Sequence, residues 1–220
     1  MIPLPLFAST VREGARYYGV ELDDHMLDLL VRYYEILIEW SVKVNLVSKR
    51  DLDRFAEYHV LDAMKTASCY DLSSVNRMLD FGSGAGLPGV PLAIAYPQIE
   101  TLLVESRKKR CAFLSEVCSR INELNVSAVQ SRAETLDDSH DRKYNIVISR
   151  ATLNLSTLYM KSKRFLSDSG SIISIKGEDI DDELESLYTV VDKSLFNIDI
   201  RVPKQFGAVR SGKLVVITRH

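Results

Sequence analysis

The stretch LDFGSGAGLPGVPLA, residues 79–93, constrains this chain more than any other. Gly82, Gly84 and Gly86 stand at alternate positions directly after a short apolar run, and a helix-like apolar run follows them. Glycine tolerates positive φ and lets backbone come close to a ligand. A glycine turn between a first strand and a helix is a nucleotide-site signal in α/β proteins. The residues around it decide what such a loop holds.

From residue 77 onward, strand and helix patterns alternate. MLDF, TLLVE (101–105), VSAVQ, YNIVISR (144–150) and SIISIKG (171–177) are apolar strand runs. Between them LAIAY continues a helix that Pro97 stops, and SRKKRCAFLSEVCSRI, LNLSTLYMKSKRFL and EDIDDELESLYTVV read as helices. SLFNIDIRV and KLVVITR close the chain as two strands joined by a short connection, which predicts a hairpin. Alternation of this kind implies a mainly parallel sheet covered on both faces. The expected fold is α/β and Rossmann-like, with seven strands of which the last is antiparallel.

Residues 1–75 read differently. Asp23 or Asp24 can cap a helix. Leu27, Leu30, Val31, Tyr34, Leu37 and Ile38 then follow at helical spacing up to Trp40. EYHVLDAMKTASCY, residues 57–70, predicts a second amphipathic helix. The division is a helical extension over 1–75 and a ligand-binding domain over 76–220.

The chain has 220 residues, of which 46% are hydrophobic, so a folded core is expected. Its formal net charge of −2 argues against a globally basic nucleic-acid binder and leaves only local patches. No apolar run approaches the roughly 20 residues of a membrane span. MIPLPLFAST lacks the early basic residues of a signal peptide. Cys69, Cys111 and Cys118 form no Cys-x-x-Cys pair, so no metal site is expected; buried thiols suit a reducing cytoplasm.

Several ligands remain open for the glycine loop. No Gly-Lys-Ser/Thr follows it, which excludes a Walker loop. GAGLPG (84–89) matches the literal G-x-G-x-x-G dinucleotide pattern. Asp80, just before the loop, can accept from an ammonium group and would repel a pyrophosphate. That favours S-adenosylmethionine (SAM), which has an ammonium and a sulfonium and no phosphate. Glu105 ends the next strand, where an acid meets ribose hydroxyls of either cofactor. The closing antiparallel pair fits SAM methyltransferases better than dehydrogenases. A tight turn without ligand stays the structural alternative.

Six blocks, in order, resemble the family of bacterial small-subunit (16S) ribosomal RNA guanine-N7 methyltransferases, also called glucose-inhibited division protein B. They are WSVKVNLVSKRD (40–51), YHVLDAM (58–64), LDFGSGAGLPGVPLA, VQSRAE (129–134), VISRA (147–151) and LVVI (214–217). The resemblance implies a class I SAM-dependent methyltransferase fold with a helical N-terminal extension. It implies that Gly82 and Leu87 line the SAM site, that Ala133 and Glu134 lie beside the adenine, and that Arg150 stands between cofactor and base. Asp80, Gly84, Gly86 and Glu105 complete the expected cofactor set. Ser41, Val47 and Tyr58 depart from the family's usual Asn, Thr and Arg, and Glu105 keeps the charge of its commoner Asp.

The acceptor chemistry agrees with this. The fourth strand runs into SRATLN without the Pro-Pro loop that amine methylation uses. All three cysteines sit in helix patterns, away from a nucleophile's loop. Guanine N7 offers a free lone pair, so it needs no general base, and the protein's work is positioning and charge stabilisation. Arg132 and Arg150 are the expected catalytic and substrate contacts, each alternatively a structural ion pair. Asn45, Lys49, Arg50, His59, Arg107, Lys108 and Lys176 are candidate RNA contacts. RKKR (107–110) opposes the dipole of the helix it starts, which suggests phosphate contact over a plain solvated face. The acid-rich stretch 178–185 is expected to lie away from RNA. A monomer acting on the small subunit or its RNA is the expected unit; a SAM methyltransferase with a small-molecule acceptor, an NAD oxidoreductase and a non-catalytic RNA binder are the alternatives.

Overall fold

A computed structural model describes residues 1–150 and 153–220. Ala151, the last residue of the VISRA block, lies outside the described residues.

The chain begins with helices α1 (Leu4–Tyr17) and α2 (Asp24–Ser41). Asp23 caps α2, its carboxylate accepting from the Met26 N–H at 2.7 Å; such a cap contributes about 1 kcal/mol. The predicted stripe of α2 is buried at Leu27, Leu30, Tyr34 and Leu37, but Leu29, Tyr33 and Ile36 are buried too. The helix is covered on several sides, because α1 packs on it as do two helices of the sheet layer. Helix α3 (Lys49–Leu52) is one turn, capped by Ser48.

Residues 57–70 depart from the prediction. A π-helical turn (Ala56–Leu61) leads into α4 (Asp62–Met64) and a 3₁₀ turn (Lys65–Ser68). Every residue from His59 to Thr66 is buried, including Asp62 and Lys65. The segment is a core element with charges inside it and not an amphipathic surface helix.

The sheet holds seven strands: β1 (Arg77–Phe81), β2 (Glu100–Glu105), β3 (Val126–Gln130), β4 (Tyr144–Arg150), β5 (Leu166–Lys176), β6 (Phe196–Arg201) and β7 (Lys213–Arg219). Their order is β3-β2-β1-β4-β5-β7-β6. The first five are parallel, and β7 runs antiparallel to both β5 and β6. Helices α5 (Gly89–Ala95), α6 (Lys108–Arg120), α7 (Leu155–Ser162) and α8 (Asp181–Val190) cover its faces. Strand residues alternate between the two faces: Ile146 and Ile148 of β4 join one core cluster, and Val147 between them joins the opposite one.

The closing hairpin is antiparallel as predicted, but its connection, residues 202–212, is long. Strand β5 starts at Leu166, before the predicted SIISIKG run. The strand order reverses at β1, whose neighbours are β2 and β4. Ligands of open α/β sheets bind beyond the carboxyl ends of the strands at such a reversal. Here those ends carry the glycine loop after β1, Glu105 after β2 and Arg150 after β4.

Candidate functional site

A cavity of about 460 Å³ opens at that reversal, within the range of ligand pockets. Gly82, Gly84, Leu87, Glu105, Arg107, Arg150 and His59 line it, so seven sequence-predicted residues meet there. Asp51 and Arg110 join them from the helical side and from α6.

Gly82 and Gly84 have φ of 77° and 58°, a region that costs side-chain-bearing residues energy. The Gly84 N–H donates to Glu105 Oε2 at 3.0 Å, and the Arg107 N–H donates to Oε1 at 2.7 Å. Glu105 therefore ties the glycine loop to the entry of α6. A carboxylate has about four lone-pair directions, so acceptor capacity remains towards the cavity. The loop is also held from behind. Tyr33 of α2, fully buried, donates its hydroxyl to the Ala85 carbonyl at 2.5 Å. Burial pushes the Tyr33 hydroxyl's pKa up, so it stays a donor.

Asp80 does not line the cavity. It is fully buried, and its Oδ2 accepts from the Gly89 N–H, the first residue of α5, at 2.9 Å. Its Oδ1 has no hydrogen-bond partner. Burial pushes its carboxyl up to about 7, although the Gly89 hydrogen bond pulls the other way. This placement decides between the cofactors left open above. Dinucleotide folds set a pyrophosphate at the helix N-terminus after the glycine turn. Here the protein's own carboxyl fills that position. The residues fit SAM, which needs glycine backbone, an acid after β2 and no phosphate cradle.

Arg150 ends β4 and faces both cavity and core. Its guanidinium donates to the Tyr58 carbonyl at 3.3 Å and to Asp62 Oδ2 at 3.2 Å. Asp62 also pairs with Lys65 at 2.5 Å, and all three side chains are mostly buried. Pairs of this kind hold geometry more than they add stability. His59 is 4% exposed, and neither ring nitrogen has a partner. Burial first, then Arg150 and Arg210, lower its pKa to about 3, so it faces the cavity as a neutral imidazole. At 3.9 Å from Asp51 it is therefore a neighbour and not an ion pair.

The remaining candidates lie off this cavity wall. Gly86 (φ 83°) is packed against Val90 and Leu114, where a Cβ would collide. Ala133 is buried, and Glu134 pairs with Lys161 at 2.5 Å. Both follow β3, whose Gln130 sits beside Glu105. Arg132 is exposed. Lys176 bonds the Leu153 carbonyl at 2.5 Å and Glu183 at 2.7 Å, and it lines a second cavity with Arg150. Asn45 meets Arg110 through its backbone carbonyl, at 3.3 Å. Lys49, Arg50 and Lys108 are exposed around the mouth-forming elements. Tyr33 and Phe55 are core residues. Sequence reasoning missed Asp51, Lys65 and Arg210, and the hold of Tyr33 on the glycine loop. Only Asp51 carried a signal, as the last residue of the WSVKVNLVSKRD block.

The sheet order, the glycine loop and the acid after β2 define a class I SAM-dependent methyltransferase fold. Solved structures agree on that fold. The precorrin-6y C5,15-methyltransferase of Geobacter metallireducens superposes with a TM-score of 0.53 at 15% identity, covering 80% of this chain and 90% of its own. A Streptococcus mutans chain, SMU.1697c, solved in complex with SAH, gives 0.50 at 15% identity, covering 68% and 93%. The chain belongs to the family described as rRNA small subunit methyltransferase G, whose model matches residues 26–204. A relative of that name from Lachnoclostridium phytofermentans is 36% identical over 179 residues, covering 80% of this chain and 74% of the relative.

Proposed function

We propose that the protein transfers a methyl group from SAM to N7 of a guanine in a loop of small-subunit (16S) ribosomal RNA. The observation that carries this is a cofactor cavity with a cation, Arg150, at its inner wall beside a histidine, His59, held neutral by its burial. When bound, SAM supplies an electrophilic methyl group, which the N7 lone pair takes while the C–S electrons return to sulfur. No proton leaves in that transfer, so a neutral His59 with a pKa near 3 is no handicap.

Gly82, Gly84, Leu87 and Glu105 would hold the cofactor, with Ala133 and Glu134 beside its adenine. Asp80 supports them from beneath the loop by fixing the start of α5. Arg150 would orient the base by donating to O6, as basic side chains do on that edge. The opposite edge of guanine carries two donors, N1–H and N2–H, for which the Asp51 carboxylate is an acceptor on the same wall. Arg107 and Arg110 line the cavity and, with the exposed Lys49, Arg50, Lys108 and Arg132, would meet phosphates. Residues 1–75 act in this scheme as the RNA-side wall and 76–220 as the cofactor domain. A ribosomal substrate goes with a cytoplasmic monomer as the working unit. No helix of the described residues is long and apolar enough to cross a membrane.

The test is transfer of labelled methyl from SAM to small subunits lacking the modification, followed by borohydride–aniline cleavage. One cleavage is expected. Label without cleavage would reject N7, and no label on subunits or on naked RNA would move the acceptor to a small molecule.

A further inference from the structure

Three cavities adjoin one another through shared residues. Arg150 lines both the cofactor cavity and a second one of about 210 Å³. Lys65, Arg210 and Ser211 line both that second cavity and a third of about 420 Å³ under the β6–β7 connection. Arg150, Lys65, Lys176, Arg210, Lys204 and Lys213 supply cations along this path, against Asp62 and Glu178. Asp62 is already engaged by Lys65 and Arg150. Glu183 pairs with Lys176, and Asp51 stands 3.5 Å from Arg210.

The connection that carries Arg210 is anchored. Phe206 packs on Gly14 and on the rings of Tyr17 and Tyr18. Val209 is buried, the Ala208 N–H donates to Glu57 at 3.3 Å, and Lys65 Nζ donates to the Arg210 carbonyl at 3.0 Å. Gly212 lies against the Lys176 carbonyl so closely that a Cβ there would collide with it. The Arg210 guanidinium, half exposed, lies over the Tyr58 ring at 4.8 Å. Lys176 and Lys213 are direct partners across the β5–β7 ladder. Like charges placed opposite each other destabilise a sheet, and one carboxylate, Glu183, offsets only part of that.

We propose that this path is a track for the single-stranded RNA segment flanking the target base, with Arg210, Lys204 and Lys213 facing its backbone phosphates. A cationic groove that follows a backbone is the common device for single strands. Its occupant rests on the methyl-transfer function proposed above. The track leaves the site on the opposite flank from the RKKR helix, and Glu178 at its border limits it on the side of the acid-rich α8.

The experiment compares wild type with Lys204→Glu, Lys213→Glu and the double variant. Unmodified small subunits and a fluorescently labelled oligouridylate are the two probes. Each reversal is expected to raise KM for subunits about tenfold, with kcat and SAM affinity unchanged. The slope of log K against log salt for oligouridylate should fall by about 0.7 for each lost phosphate contact. Equal KM and equal salt slopes in wild type and the double variant would overturn the track. Loss of subunit binding with oligouridylate binding intact would also overturn it, because an acidic protein of the particle would then be the occupant. Absence of methyl transfer by wild type would count against the proposed function alone, since the oligouridylate arm reads the track without it. Thermal unfolding of the variants at or above the wild-type temperature excludes a folding cause, and Lys213→Glu, set opposite Lys176, should unfold higher.

Discussion

The two walls of the cofactor cavity are built from different materials. One wall is a continuous turn of backbone, from Gly82 to Leu87, whose N–H at Gly84 is tied to Glu105 and whose carbonyl at Ala85 is tied to Tyr33. The other is a set of side chains, Asp51, His59 and Arg150, that come from distant parts of the chain. The first wall needs φ values that only glycine adopts cheaply. The second needs buried charges to be matched, as Asp62 is by Lys65 and Arg150. Under the proposed function this is a division of labour: backbone geometry would hold a cofactor common to many enzymes, and collected side chains would select what is methylated.

The largest effect should come from the backbone wall. Gly82→Asp places a charged, branched residue at φ 77° against the cofactor. SAM binding by calorimetry should fall beyond detection, more than about 100-fold; retained binding would break the assignment of this wall. Next comes the side-chain wall. Arg150→Ala should lower the transfer rate by about 10²–10³-fold, the usual scale for one charge-stabilising donor. SAM affinity should stay within about threefold, and Arg150→Lys should recover part of the rate. A variant as fast as wild type would remove Arg150 from the chemistry.

A smaller change is expected at the tie between the walls. Tyr33→Phe leaves the buried Ala85 carbonyl without its donor, a cost of about 1–3 kcal/mol in stability. Thermal unfolding measures this, and an unchanged Tm would show that the loop holds itself. The last effect is a slope. Asp80 is protonated in the folded protein up to pH about 7 but ionised above about 4 when unfolded. Its contribution to stability therefore falls as pH rises from about 4 to about 7. His59 stays neutral in the folded protein down to pH about 3 but is protonated below about 6.5 when unfolded. Its contribution rises with pH over about 3 to 6.5. The two slopes oppose each other across most of that window. Asp80→Asn should unmask a stability that rises by about 1.4 kcal/mol per pH unit there. A falling or flat curve in that variant would contradict the environment assigned to His59.

The backbone wall was legible because its signal is local. Gly82, Gly84 and Gly86 follow one strand within a few residues, and Glu105 ends the next strand in the parallel order that strand–helix alternation predicts. The same signal gave Asp80 the wrong duty. Sequence places it beside the loop, but the register of β1 turns its side chain under α5 to bond Gly89. The side-chain wall had no comparable signal. Lys65 looked like part of an amphipathic helix, yet it is 2% exposed and bonds the carbonyl of Arg210. Residues so far apart in the chain leave no periodicity that links them.

The sequence by itself determined the α/β class, the glycine turn and the acid after the second strand, because short-range pattern and glycine's conformational freedom fix those. Tertiary structure alone decided that Asp80 occupies the helix start in place of a phosphate. It alone turned residues 56–68 into a partly π-helical element buried from His59 to Thr66 and carried Arg210 back to Asp51 and Lys65. Those outcomes depend on which surfaces are covered and which charges are paired, and only the packed chain sets both.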